Sequence, residues 1–225
     1  MDRIDKRLAQ AVVLLDRQYL LTDHLIKNRR CVLQDFENAV TEKRESLTHV
    51  LDVYNYVFGL IDHLVRYQKI AMVLPRLNQN DPEYRALNFA MGELKDVRNQ
   101  LQHINNDIEN ENSGPLLGSI CWASGQRQYM ASFHDIGRKR SSPGLIFDRD
   151  KGIHIEGFSY VYNEKRHDLD KAIEGLHTFN TFINGIVHLE IDGKVYDPKD
   201  HFMAVCIGFQ ITPKAAQEAP SNPLS

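Results

Sequence analysis

The sequence predicts an α+β fold: a mainly α-helical up-and-down bundle with an inserted and C-terminal antiparallel β-meander. Three observations lead there. Up to Pro115, apolar residues recur every three or four positions, the period of an amphipathic helix. After Pro115 the segments become short and rich in aromatic and β-branched residues, separated by turn formers. Over residues 168–189 the helical period returns.

Residues 2–27 place Ile4, Leu8, Val12, Leu15 and Tyr19 at helical spacing and form a first amphipathic helix. A second helical stretch covers 31–74. Its apolar face carries Leu47, Val50, Leu51, Tyr54, Val57, Phe58, Ile61, Leu64 and Val65, and Pro75 closes it. Asp81 is an N-cap, Pro82 suits the first helical position, and Glu83 favours the positive end of the helix dipole. That third helix runs from Pro82 to Asn110, and Ser113-Gly114-Pro115 ends it. Long helices with short connections imply antiparallel packing.

The meander is read as Leu116 to Trp122, Gln126 to His134, Gly144 to Asp148 and Ile153 to Tyr162, with Asp150-Lys151-Gly152 as a hairpin turn. In the returning helix, Leu169, Ile173, Leu176, Phe179, Ile183 and Ile186 supply the fourth bundle stripe. Ile191-Asp192-Gly193-Lys194-Val195 reads as a tight turn and Phe202 to Ile211 as a last apolar strand. The expected organisation is a bundle of residues 1–112 with 168–189, a β-rich extension of 116–162 with 191–211, and a disordered tail over 213–225.

The 225 residues can bury a substantial core, and the formal net charge of −3 argues against broad, tight nucleic-acid binding while leaving room for a localised site. Two basic clusters, Lys27-Asn28-Arg29-Arg30 and Arg138-Lys139-Arg140, read as solvated turns; the second, beside Ser141, Ser142, Pro143 and Gly144, is within reach of a backbone phosphate. Cys31, Cys121 and Cys206 are sparse and fit no zinc pattern, which suits a reducing compartment. The N-terminal residues lack the apolar core of a signal peptide, and no segment approaches the roughly 18 apolar residues that span a bilayer. A cytoplasmic protein without a membrane partner is expected.

Ten histidines form no HExxH or helical metal pair, and there is no Walker loop, dinucleotide fingerprint or nucleophilic Ser or Cys motif. No metal and no cofactor is expected. His63, beside Asp62, reads as a partly buried histidine with a local partner. Asp96 reads as exposed, and Trp122 and Tyr129 as core of the meander rather than base-stacking residues.

The third helix carries the chemistry. Ala90, Leu94, Val97, Leu101, Ile104 and Ile108 share its buried arc. A second arc holds Lys95, Arg98, Asn99, Gln102, His103 and Asn106, with Arg98 and His103 roughly 140° apart around the axis. A phosphate between those two would meet a planar cationic fork on one side and a near-neutral imidazole on the other. Asn99, four residues before His103, is placed to orient it. Lys95, Gln102 and Asn106 are the candidate substrate-binding residues. A helix also needs a solvent face, and these residue types are ordinary there.

In its run Arg98, Asn99, Gln100-Leu101-Gln102, His103, the chain resembles the HEPN superfamily (higher eukaryotes and prokaryotes nucleotide-binding), small helical bundles with an RNxxxH motif late in a helix. The resemblance covers residues 1–112 and the helix near 168–189, and leaves the β-rich part unaccounted for. It implies a metal-independent endoribonuclease in which Arg98 and His103 are the catalytic pair and Asn99 supports them. It further implies a homodimer that brings two motif helices together, and a toxin or antiviral role with an antitoxin partner. His103 would act as general base on the ribose 2′-hydroxyl or as acid on the leaving 5′-oxygen. Arg98 would stabilise charge on the phosphorus. The alternatives are a non-catalytic module that binds RNA, a nucleotide or a protein, and a structural homodimer whose polar helix face is its interface.

Overall fold

The computed structural model describes residues 3–74, 77–102, 115–133, 147–148, 153–154, 157–163, 165–186, 189–191 and 194–196. The fold is α+β. Its helices are α1 (Arg3–Thr41), α2 (Leu47–Met72), α3 (Pro82–Gln102) and α4 (Leu169–Ile186). The strands are β1 (Ser119–Ser124), β2 (Arg127–Ser132), β3 (Phe147–Asp148), β4 (Ile153–His154), β5 (Ser159–Tyr162), β6 (Lys165–Asp168), β7 (Leu189–Ile191) and β8 (Lys194–Tyr196).

The first helix runs past the expected end at residue 27 to Thr41, because nothing in Lys27-Asn28-Arg29-Arg30 breaks it. That basic cluster is therefore mid-helix and not a turn. Arg29 pairs with Asp170 at 2.5 Å and lies over the Phe158 ring. The break comes instead at Lys43, which takes a left-handed φ of 54°. The Arg44 N–H donates to the Ala39 carbonyl and the Lys43 N–H to the Val40 carbonyl, a Schellman closure with lysine where glycine is usual. Ser46 then caps α2, and its backbone N–H donates to His49 Nδ1 at 3.2 Å.

α2 is the central element. It packs against α1, α3, α4, β1 and β2. It is buried at Val53, Tyr54, Tyr56, Val57, Leu60, Ile61, Leu64, Val65, Tyr67, Gln68 and Ala71. α3 begins at Pro82 as its cap residues require, with the Arg85 N–H donating to the Asp81 carbonyl. Leu94 and Val97 of its expected stripe are buried and Leu101 partly so; Ile104 and Ile108 lie outside the described residues. α4 packs on α3 as a further bundle member. The approach is close at Gly175, where a Cβ would sit 3.0 Å from that of Ala90.

The main sheet is antiparallel in the order β2-β1-β5-β6. The expected strand Ile153 to Tyr162 is two strands in different sheets: β4 pairs with β3, and β5 with β1 and β6. β6 is Lys-Arg-His-Asp, a polar tetrapeptide without strand signals. β7 and β8 pair antiparallel, and the expected turn at Asp192-Gly193 between them lies outside the described residues. The turn at 150–152, Arg138-Lys139-Arg140, Cys206, the apolar run 202–211 and the tail 213–225 lie outside the described residues.

The sheet shares one hydrophobic cluster with the helices, in which Ile120, Trp122 and Tyr160 join Leu60, Leu94 and Phe179. Trp122 is a core residue, stacked 5.5 Å from Tyr129, with its Nε1–H donating to Glu37 Oε1 at 2.9 Å. Gly118 enters β1 at φ +67°, where an added Cβ would overlap the Val161 carbonyl oxygen and lie 2.7 Å from the Tyr160 hydroxyl.

Two backbone positions therefore have opposite signs. Gly118→Ala should cost about 1–3 kcal/mol or more, and Lys43→Gly should gain roughly 1 kcal/mol by relieving a left-handed lysine. Urea denaturation of both variants checks this; a neutral Gly118→Ala or a destabilising Lys43→Gly would contradict the local geometry.

Candidate functional site

α2 and α3 run antiparallel, with contacts from Gln68 to Asn88 at one end and from Asp62 to Arg98 at the other. Arg98 lies on the seam. Its Nε–H donates to Asp62 Oδ1 at 2.7 Å, and its side chain is 19% exposed. Arg66, one turn along α2, places its own Nε 2.7 Å from Asp62 Oδ2 and is 59% exposed. Arg98 Nη1 also reaches Gln102 Oε1 at a long 3.4 Å. Burial pushes the Asp62 carboxyl up, but the Arg98 hydrogen bond and the charges of Arg66 and Arg98 outweigh it and hold the pKa below the usual value.

His63 has its partner far away in sequence rather than locally. Gln18 Nε2 donates to His63 Nδ1 at 2.9 Å, which places the proton of the neutral ring on Nε2. Burial lowers its pKa further, so it adds no charge to the seam at neutral pH.

Asn99 points to different surroundings. It is exposed and lines an open cavity of about 470 Å3 with Glu93, Asp96, Gln100, Tyr162, Asn163, Lys165 and His167. The structure thus does not bring Arg98 and Asn99 to one face. Lys95 and Gln102 are exposed on α3. His103 and Asn106 lie outside the described residues.

His167 was not singled out by sequence. Register buries it: Ala131, Ile120, Tyr160 and His167 form one cross-strand row on the core side of the sheet. Its side chain is 7% exposed, and Nδ1 lies 3.3 Å from Glu93 Oε2 without hydrogen-bonding geometry. Burial lowers its pKa; the Glu93 carboxylate pulls the other way, but it is 75% exposed and screened by water, so burial wins.

The i,i+4 spacing of Asp62 and Arg66 is a signal that could have found that pair, whereas no spacing signals its link to Arg98. Among the described residues no group of three or more His, Cys, Asp and Glu side chains is placed to hold a metal ion. No described helix is long and apolar enough to cross a membrane. Burial pushes the Cys121 thiol up to about 11, so it is not a poised nucleophile.

The buried His167 has a consequence for pH. Its folded pKa lies below the ordinary 6.5 of the unfolded chain, so the unfolded state binds the proton more readily. Its contribution to stability is complete above about pH 6.5 and declines as pH falls below that value. His167→Gln should flatten the fall in unfolding free energy on the acid side of 6.5, measured by urea titration at a series of pH values. An unchanged slope would mean that His167 titrates normally.

Comparison with protein-family models, curated proteins and solved structures finds no match to this chain. The HEPN resemblance stands on the motif residues alone.

Proposed function

We propose that this protein is a metal-independent endoribonuclease of the HEPN type, working in the cytoplasm as a homodimer. The observation that carries the reading is the anchored arginine. Arg98, first residue of the RNxxxH run, is held through Nε by Asp62, so the rest of its guanidinium is oriented before a ligand arrives. Preorganised cationic donors of this kind are what a phosphoryl transition state requires.

The chemistry needs no metal because the nucleophile is internal to RNA. His103 takes the proton from the ribose 2′-hydroxyl, and O2′ attacks phosphorus. The bond from phosphorus to O5′ breaks, and the leaving oxygen takes a proton from an acid, which in a dimer is the second copy's motif histidine. Arg98 holds the extra charge on the non-bridging oxygens. The products are a 2′,3′-cyclic phosphate and a 5′-hydroxyl. Asn99, Lys95, Gln102 and Asn106 bind the strand. A toxin or antiviral role with an antitoxin partner follows from the resemblance alone.

One observation favours a second reading. Arg98 is mostly covered and paired with Asp62, and Asn99 lies on the other flank of α3, an arrangement that also suits a non-catalytic module binding RNA, a nucleotide or a protein.

The two readings separate in one assay. Wild type should cut mixed single-stranded RNA in EDTA, leaving cyclic phosphates, while DNA resists. His103→Ala and Arg98→Ala should each lose about 100-fold or more in rate. RNA binding without turnover would select the module, and cleavage abolished by the chelator would overturn the mechanism.

A further inference from the structure

One carboxylate on the α2/α3 seam carries two guanidiniums. Asp62 Oδ1 takes Arg98 Nε and Asp62 Oδ2 takes Arg66 Nε, each at 2.7 Å. Neutralising Asp62 would need only one arginine. Here both carboxylate oxygens are used, and the local sum is one positive charge in excess. Lys95, one turn before Arg98 on α3 and exposed, raises the excess to two in a chain of net charge −3. Burial lowers the pKa of His63, which adds nothing to that excess at neutral pH.

The atoms used matter as much as the charge. A guanidinium has five N–H donors, one on Nε and four on the two Nη atoms. Both contacts with Asp62 are made by Nε. Among the described residues, the Nη side of Arg98 meets Gln102 at a long 3.4 Å, and the acid paired with Arg66 is Asp62. Two forks fixed at the stem by one acid form a ready receptor for a tetrahedral, multiply accepting anion. The two non-bridging oxygens of a phosphate diester accept end-on N–H donors from two arginines at once.

We infer that Arg66 and Arg98, anchored on the two oxygens of Asp62, clamp one phosphodiester of single-stranded RNA, which makes Arg66 a substrate-binding residue and Asp62 the positioning residue for both. This rests on the RNA-directed reading above and adds a residue to its site. Arg66 is well exposed, so its replacement leaves the core untouched.

The test is equilibrium binding of a single-stranded RNA with 2′-O-methyl riboses, which cannot be cut, to the full chain across about 50 to 200 mM salt. Each phosphate neutralised on a single strand contributes about −0.7 to the slope of log K against log salt. Arg66→Ala should weaken binding about tenfold at the low-salt end and reduce the slope by about 0.7, with an unchanged melting temperature. Arg66→Lys should keep the slope and lose part of the affinity, because lysine retains the charge without the fork. Arg44→Ala, which removes an exposed arginine paired with Glu42 beyond the end of α1, should leave slope and affinity at wild type. Wild-type affinity and slope in Arg66→Ala, alongside His103-dependent cleavage, would overturn the clamp and leave the ribonuclease standing. An equal slope change in Arg44→Ala would overturn it as general electrostatics. A wild type that neither binds nor cuts RNA would overturn both.

Discussion

The position of α2 constrains everything else. It has helices on several sides and the sheet on another, so most of its circumference is apolar, apart from a stripe through Asp52, Asn55, Asp62, Arg66 and Lys69. Such a helix tolerates a charge only along the line where two neighbours part, and only with a partner, because an unpaired half-buried carboxylate costs several kcal/mol. Asp62 occupies such a line, 31% exposed, and Arg98 arrives from α3 to meet it. The ion pair thus follows from the packing. Gln68, another buried polar group of this helix, is handled the same way, donating to Asn88 of α3 at 3.1 Å. Two polar contacts of α2, Asp62 with Arg98 and Gln68 with Asn88, lie on its junction with α3, and that junction carries the motif.

α1 ties the ends of the molecule together. At 39 residues it is about 58 Å long, more than any single partner can cover. Its first half meets α4, where the Tyr19 hydroxyl lies 3.1 Å from His177 Nδ1. Its second half meets the sheet, where Phe36 packs edge-on against Trp122 and Glu37 accepts the indole N–H. Arg29 reaches the start of α4 through Asp170, whose other oxygen accepts the Phe158 N–H at 2.7 Å. The sheet is therefore fastened to the bundle by hydrogen bonds and ring contacts as well as apolar burial, and the face holding β6 keeps a fixed relation to α3.

What could be read in advance follows from how local each signal is. The α+β class, the cap at Asp81-Pro82 and the stripe through Leu94 and Val97 are written within a few residues and stand in the structure. The end of α1 was hidden because Lys43 adopts a conformation that usually announces itself with glycine. β6 was hidden because Lys-Arg-His-Asp has no strand propensity; pairing with Tyr160 and its neighbours makes it a strand. For the same reason nothing in the sequence singles out His167. Arg98 was found by its motif, but its anchor lies 36 residues away, beyond the reach of any spacing rule.

Helix arithmetic also changes how the motif should be seen. Consecutive residues on a helix diverge by about 100°, so Arg98 and Asn99 cannot serve the same narrow site unless the ligand wraps the helix. One looks toward Asp62 and Arg66, the other toward the cavity with Lys165 and His167. A small anion would use only the first. A polynucleotide is long enough to use both, with one phosphate on the guanidinium seam and a neighbouring nucleotide across α3 at the amides Asn99, Gln100 and Asn163. On the RNA-directed reading, the spread of the motif over two flanks is what a strand laid across the helix requires. A mononucleotide would leave half of those side chains without a role.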